Sequence, residues 1–277
     1  MRDELELFLE SEPVLAARSI LLSTLLGSDP PELPVARLIQ IAGLFGCSEG
    51  TVRTAVTRMT HRGELVVAAP ARYRLGDDFT VRYRRQLQSR SAATLDWSGT
   101  WRMAVTTPDT RSQRERRQLR DDLRTLRLGR LRDGVYLRPD NLADSPLGES
   151  RRRIDQVSTW MNVTPDEDAQ LAAGLWDLDG WIERATTLRR LVQPLAQRLT
   201  AGDTAMLGPG FVVSAAVLRH FQADPLLPRE LWPRRWNGEA LRRDYDKFDA
   251  AYRSVLRQWW RSFAVERSDL ASDATMP

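Results

Sequence analysis

The stretch from Val35 to Leu75 constrains this chain more than any other. Apolar residues recur at helical spacing from Val35 to Phe45 (Leu38, Ile39, Ala42, Phe45), stop at Gly46-Cys47-Ser48, and resume from Glu49 to Arg62 before Gly63. Glycine ends a helix in a left-handed residue without steric cost. Ser48 is a good N-cap, because its hydroxyl accepts a hydrogen bond from a first-turn N–H that the helix leaves unpaired. The spacing therefore predicts two helices joined by a tight turn. A third precedes them over 15–26 (Ile20, Leu21, Leu22, Leu25), starting after Ser11-Glu12-Pro13 and stopped by Gly27 and Asp29-Pro30-Pro31. After Gly63, the β-prone runs Leu65-Val66-Val67 and Tyr73-Arg74-Leu75 flank a turn at Ala69-Pro70-Ala71 and read as a small hairpin.

On the helix that begins at Glu49, Val52, Ala55, Val56 and Met59 share one face, which leaves Gly50, Arg53, Thr54, Thr57 and His61 on the other. Short polar side chains beside an arginine suit a helix entering the major groove of double-stranded DNA. Arg53 can contact guanine bidentately, and Thr54 and Thr57 offer hydroxyls and methyls to base edges beside Gly50. Ser48, Thr51, Arg58 and Arg62 flank that face, where phosphates would lie. The hairpin then forms a wing, with Arg72, Tyr73 and Arg74 reaching the DNA backbone or minor groove. A basic helix follows, and its Arg82 and Arg85 add to the phosphate-neutralising charge. The plainer alternative is a helical hairpin with a solvated arginine face, or a winged helix that binds protein. His61, two residues before Gly63, is expected to serve terminal carbonyls rather than bases.

Tryptophan sets the next boundary, because all nine lie beyond residue 96. Trp101–Thr106 alternates as a strand, 112–126 is an amphipathic helix (Leu119, Leu123, Leu126), and Gly134–Leu137 is again strand-like, which predicts an α+β module. A helix over 151–161 follows, with a poorly marked strand near Val163. From Leu175 onward the patterns are helical (179–199, 211–221, 241–263), and Gly208-Pro209-Gly210 reads as a turn before the second of these. The organisation expected is a multidomain α+β chain. It comprises a winged helix-turn-helix over 1–78, a basic connecting helix over 79–95, a central domain over 96–173, a mostly helical domain over 174–267 and an unstructured tail over 268–277.

Composition narrows the chemistry. One cysteine and two histidines among 277 residues exclude a disulfide framework and a Cys-based zinc site, so no metal and no catalytic residue are assigned. The acidic N-terminus lacks the pattern of a secretory signal and no stretch approaches a membrane span, which predicts a cytoplasmic protein. Net charge is only +4, and arginine supplies 40 of the 41 basic residues.

These features together resemble the PaaX-type transcriptional regulators, the repressor family of phenylacetate catabolism. The resemblance rests on Ser48-Glu49-Gly50-Thr51-Val52-Arg53-Thr54-Ala55-Val56-Thr57-Arg58-Met59, Arg62-Gly63-Glu64-Leu65-Val66 and Arg72-Tyr73-Arg74-Leu75. It continues through Trp97-Ser98-Gly99-Thr100-Trp101-Arg102, Gly134-Val135-Tyr136-Leu137-Arg138-Pro139, Trp176-Asp177-Leu178, Leu218-Arg219-His220-Phe221 and Asp224-Pro225-Leu226-Leu227-Pro228. It implies a winged helix, a central ferredoxin-like domain and a helical C-terminal domain. It also implies a homodimer on an inverted-repeat operator, released by an aryl-CoA or acyl-CoA thioester, typically phenylacetyl-CoA. For that effector the aromatic and basic residues Trp176, Trp181, Arg219, His220, Trp232 and Trp236 are the candidates, although tryptophans at helical spacing more commonly build a core. A metal-dependent nuclease is the alternative from another class, since the central fold resembles one with an aspartate ending its first strand. Here the nearest acid, Asp109, lies beyond Pro108, which is poor support for a site that needs converging carboxylates.

Overall fold

A computed structural model of the chain describes residues 3–106, 112–143 and 148–273. The fold is mixed α+β and divides into two compact units, each discontinuous in sequence. One comprises residues 1–83, 187–217 and 239–277, and the other residues 84–186 and 218–238. The helical region expected over 174–267 is thus divided between the two, because apolar stripes show that a helix face is buried without showing against what.

The first unit opens with α1 (Glu4–Ser11) and α2 (Ala17–Leu26), followed by β1 (Glu32–Pro34), α3 (Val35–Gly43), α4 (Glu49–His61), β2 (Leu65–Ala69) and β3 (Arg72–Leu75). Ser11 is the last residue of α1, and α2 begins after Pro13 as expected by the spacing, with Ala16 as its N-cap. Helices α2, α3 and α4 pack on one another around Ile20, Leu21, Leu25, Leu38, Ile41, Val52 and Met59, all essentially inaccessible to solvent. The three strands form an antiparallel sheet in the order β1-β3-β2, and Leu65 and Leu75, opposite each other in the ladder, close the core from that side.

The same unit includes the later parts of α9 (Leu178–Thr200), the earlier part of α10 (Leu207–Gln222) and α11 (Gly238–Asp273). Arg189 of α9 pairs with Asp244 of α11 at 2.7 Å. Ser214 of α10 shares a hydrogen bond with Tyr245 at 2.9 Å, and Phe211 packs on Phe45 at the end of α3 with ring centroids 5.2 Å apart. Gly208-Pro209-Gly210 is the first turn of α10, not a turn before it. Pro is tolerated there because the first-turn N–H groups have no helical partner, and a Cβ on Gly210 would stand 3.1 Å from the Tyr252 ring. Helix α11 continues past Ser268 to Asp273, since no glycine or proline interrupts the segment read as a tail.

The second unit is built on a four-stranded antiparallel sheet in the order β5-β6-β4-β7, from β4 (Trp101–Thr106), β5 (Gly129–Arg132), β6 (Val135–Pro139) and β7 (Ser158–Val163). Helix α6 (Gln113–Thr125) precedes β5 and α7 (Gly148–Asp155) precedes β7, giving strand-helix-strand-strand-helix-strand. Both α6 and α7 lie on the face lined by Ala104, Leu123, Leu126 and Ile154. Trp101, Val135 and Leu137 face the other way, against α8 (Asp168–Leu175) and residues 227–231. The fully buried indole of Trp101 donates to Asp168 at 2.7 Å. The helix α5 (Asp77–Ser91) contributes to both units. Among the described residues, no helix is long and apolar enough to cross a membrane.

Candidate nucleic-acid interface

Two glycines and a serine shape the element expected to meet DNA. At the end of α3, Gly46 (φ +73°) donates to Gly43 and Cys47 to Ala42, a Schellman closure that satisfies terminal carbonyls. Ser48 then caps α4: its Oγ accepts from the Thr51 N–H at 3.2 Å and lies 2.9 Å from Thr51 Oγ1. Such a cap is worth about 1 kcal/mol. At the other end Gly63 (φ +71°) donates to Thr60 and Glu64 to Met59, repeating the same closure. Glu64 is held in turn by Arg18 of α2.

These constraints fix which face of α4 is seated. Val52, Val56 and Met59 are buried and Ala55 is half-buried, whereas Gly50, Thr51, Arg53, Thr54, Thr57, Arg58, His61 and Arg62 are exposed. Arg53, Thr54 and Thr57, the expected base-reading residues, thus share the solvent side. The Thr57 hydroxyl donates back to the Arg53 carbonyl at 3.0 Å, so toward a ligand it offers its methyl and an accepting oxygen. The hydroxyls of Ser48 and Thr51 are engaged at the cap. What the N-terminal turn presents to an anion is therefore its first backbone N–H groups.

Arg53 is engaged as well. Its Nε donates to Glu49 Oε1 at 2.7 Å, and its Nη2 lies 2.7 Å from the same oxygen. Glu49 had no role in the sequence reading, although an acid four residues before an arginine is the stronger order for a helical ion pair.

The hairpin carries the other candidates. Arg72 and Arg74 alternate on one face of β3, both exposed, with Tyr73 half-buried between them. Arg72 lies 3.5 Å from Glu32, and Arg74 lies 3.7 Å from Asp77. The turn holds Ala71 at φ +56°, with its carbonyl accepting from the Val35 N–H at 2.8 Å, and a bulge sits between Val67 and Ala69. Arg85 belongs to the second unit and is half-buried, with its Nε removed from solvent, unlike the freely exposed arginines of α4. The side chain of Arg82 lies outside the described residues, as does the whole of Asp109.

The aromatic candidates gather in the second unit. Trp181 is packed between His220 and Trp236, near-parallel to both, with centroids 4.2 and 4.3 Å away. An open cleft of about 310 Å³ is lined by Trp176, Trp181 and His220 together with Asp177, Arg184 and Pro225. The Trp181 indole N–H is buried and has no acceptor among the described residues. Trp232 and Trp236, tilted against each other with centroids 6.3 Å apart, do not line the cleft, and the Trp232 N–H is spent on the Leu227 carbonyl at 2.9 Å. Arg219 is exposed on α10 and does not line the cleft, and the arginine that does, Arg184, was not a candidate. Its position one helical turn after Trp181 was the available signal. Among the described residues, no group of His, Cys, Asp and Glu side chains is arranged to hold a metal ion.

A small helical module presenting one polar, arginine-bearing helix face, joined to an antiparallel α+β module, is the architecture that comparison with known proteins can name. The family model described as PaaX-like protein matches residues 16–79, and that of the PaaX protein central Cas2-like domain matches residues 94–164. Among solved structures, the chain is similar to the uncharacterized protein Rv0674 from Mycobacterium tuberculosis, with 36% identity and a TM-score of 0.64, covering 88% of this chain and 98% of that one. None of the curated proteins matches. The chain belongs to the PaaX-type family, whose domains are those of transcriptional regulators.

Proposed function

We propose that this protein is a DNA-binding repressor of an aromatic-acid catabolic or related operon. It acts without catalysis, in the cytoplasm, as a homodimer on an inverted-repeat operator. The first unit supplies a winged helix-turn-helix, with α3 and α4 as the helix pair and β2–β3 as the wing. The sheet order and strand-helix alternation of the second unit fit a ferredoxin-like domain. Arg53, Thr54, Thr57 and Gly50 read bases. Arg58, Arg62, Arg72, Tyr73, Arg74 and the N-terminal turn of α4 at Ser48 and Thr51 meet the backbone. The observation that carries this reading is the two-sidedness of α4: Val52, Val56 and Met59 are sealed in the core while Arg53, Thr54, Thr57 and Arg58 stand exposed on one capped, rigid helix. A major groove admits such a helix, and its base edges pair with those side-chain types.

An aryl-CoA or acyl-CoA thioester, with phenylacetyl-CoA the first to try, is the proposed releasing effector. The cleft beside Trp176, Trp181 and His220 is suited to its acyl end, being aromatic-walled with an arginine at its border. The experiment is footprinting on DNA upstream of the protein's own operon, repeated with a panel of thioesters. Protection of a symmetric site that a thioester abolishes is the expected result. Absence of any protected site would overturn the DNA-binding reading, and protection indifferent to every thioester would overturn the effector alone.

A further inference from the structure

Glu49 occupies the first position of α4, on the same solvent side as the residue it grips, and both side chains of the pair are 59% exposed. A lone acid at this place is at odds with a surface built for DNA. Phosphates favour the N-terminal end of a helix, where backbone N–H groups and the helix dipole offer positive charge, and a carboxylate there repels them. Nor is the ion pair retained for stability to any useful extent, since exposed pairs of this kind are weak and screened by salt.

The geometry gives the carboxylate a different use. The hydrogen bond engages Nε of Arg53, with Nη2 against the same oxygen. A guanidinium held along that edge keeps its two terminal nitrogens for a second planar acceptor, and the N7 and O6 atoms of guanine present that shape. Glu49 removes the rotamer freedom that a long exposed arginine otherwise loses on binding, and its second oxygen keeps the capacity to accept from a base amino group.

We propose that Glu49 is the positioning residue for Arg53 and a specificity determinant of the DNA site. It fixes Arg53 for guanine, favours an amino-bearing base (cytosine or adenine) at the adjacent pair, and suppresses binding to unrelated sequence by weakening the pull of the α4 N-terminal turn on phosphate. This rests on the assignment of α4 as the DNA-reading helix.

The test is selection from a randomised duplex pool by the full-length protein and by Glu49→Ala and Glu49→Gln. The selected site and random DNA are then titrated against each, and thermal unfolding establishes that the variants fold. The wild type is expected to select a guanine with cytosine or adenine beside it. Glu49→Ala should lose the neighbour preference, reduce discrimination at the guanine roughly tenfold, within the range for one bidentate contact, and bind random DNA more tightly. Glu49→Gln, which keeps a hydrogen-bonding oxygen, should retain the guanine but bind random DNA as tightly as the alanine variant. A merely structural role would lower affinity for all sequences together. Selection of an unchanged site by Glu49→Ala, with an unchanged ratio of specific to random affinity, would overturn the inference while the DNA-binding reading stands. A wild type that selects no sequence would overturn both.

Discussion

Arg18 of α2 donates two hydrogen bonds to Glu64, Nε to Oε2 at 2.8 Å and Nη2 to Oε1 at 3.0 Å. Glu64 follows directly on Gly63, so this fork ties the exit of α4 to the helix behind it and sets where the hairpin begins. The Glu64 side chain is only 13% exposed. Removing its partner leaves a carboxylate largely withdrawn from water. Arg18→Ala is expected to lower stability by about 1–2 kcal/mol, more than an exposed pair would cost, and Arg18→Lys to recover only part, because an ammonium cannot reproduce the fork. Urea denaturation measures both, and an unchanged midpoint for Arg18→Ala would show the clamp to be without weight.

Gly50 invites a substitution with two opposite effects. It is an exposed residue in the first turn of α4, and a Cβ built there meets nothing within 4 Å. Alanine in a helix is preferred to glycine by up to about 1 kcal/mol, so Gly50→Ala should raise the unfolding temperature. If α4 enters the groove as proposed, the added methyl meets DNA at the point of closest approach, and operator affinity should fall even as stability rises. Parallel changes in the two measurements would place Gly50 away from the contact.

Why these features were legible while others were not follows from where the deciding interactions lie. The α3-turn-α4-hairpin run was readable because Gly46, Ser48 and Gly63 each do a local job, left-handed closure or capping, that few residue types can do. The exposure of Arg53, Thr54 and Thr57 followed from helical period alone. Strand β1 was missed because it is three residues long and ends at Pro34, and β5 because it is only four residues long, too short for the alternation of Arg130, Leu131 and Arg132 to stand out. The partial burial of Arg85 and the division of the C-terminal helices between two units depend on distant partners, which no local pattern encodes. The Glu49–Arg53 pair was within reach, being a four-residue spacing on a recognised helix.

Arg53 and Arg58 both stand exposed on α4, but they should fail differently. Arg53→Ala should cost roughly 1–3 kcal/mol at the operator and flatten sequence preference there. Arg58→Ala should weaken operator and random DNA alike and reduce the slope of log affinity against log salt by about one counterion. Titrations on both DNAs at several salt concentrations separate the two outcomes. Equal losses of specific and random binding for both variants would mean that neither residue reads a base.

Tyr252 of α11 gives the fold an alkaline limit. Its hydroxyl donates to the Leu207 carbonyl at 3.2 Å, and burial, reinforced by Tyr245 and Asp249, raises the phenol's pKa well above its ordinary value. The folded state therefore keeps a proton that the unfolded chain releases near pH 10. The associated stability is fully present below about pH 10 and is lost progressively as pH rises toward the raised folded value. Tyr252→Phe should cost about 1 kcal/mol at neutral pH through the lost hydrogen bond, yet show a shallower decline in alkaline solution. Urea midpoints at about pH 8 and about pH 11 test the crossing of the two curves; parallel declines would assign the alkaline loss to other groups.

The cleft residue Trp181 separates an effector role from a structural one. Its indole N–H is buried without an acceptor among the described residues, so no hydrogen bond of the described fold depends on it. Trp181→Phe keeps an aromatic ring between His220 and Trp236 and removes that donor, at a packing cost of about 1–2 kcal/mol for the smaller ring. Should the thioester occupy the cleft, its acyl end packs against the part of the Trp181 ring that lines it. The variant, with a smaller ring there, would then need roughly tenfold more thioester to release DNA, about what burying two methylene-sized groups contributes. Affinity for the operator without thioester should be unchanged. The paired measurement is release of labelled operator against thioester concentration, with a wild-type tryptophan fluorescence response that diminishes in the variant. Release at an unchanged concentration would place the effector elsewhere and leave the stacked trio of Trp181, His220 and Trp236 as a packing element of the second unit.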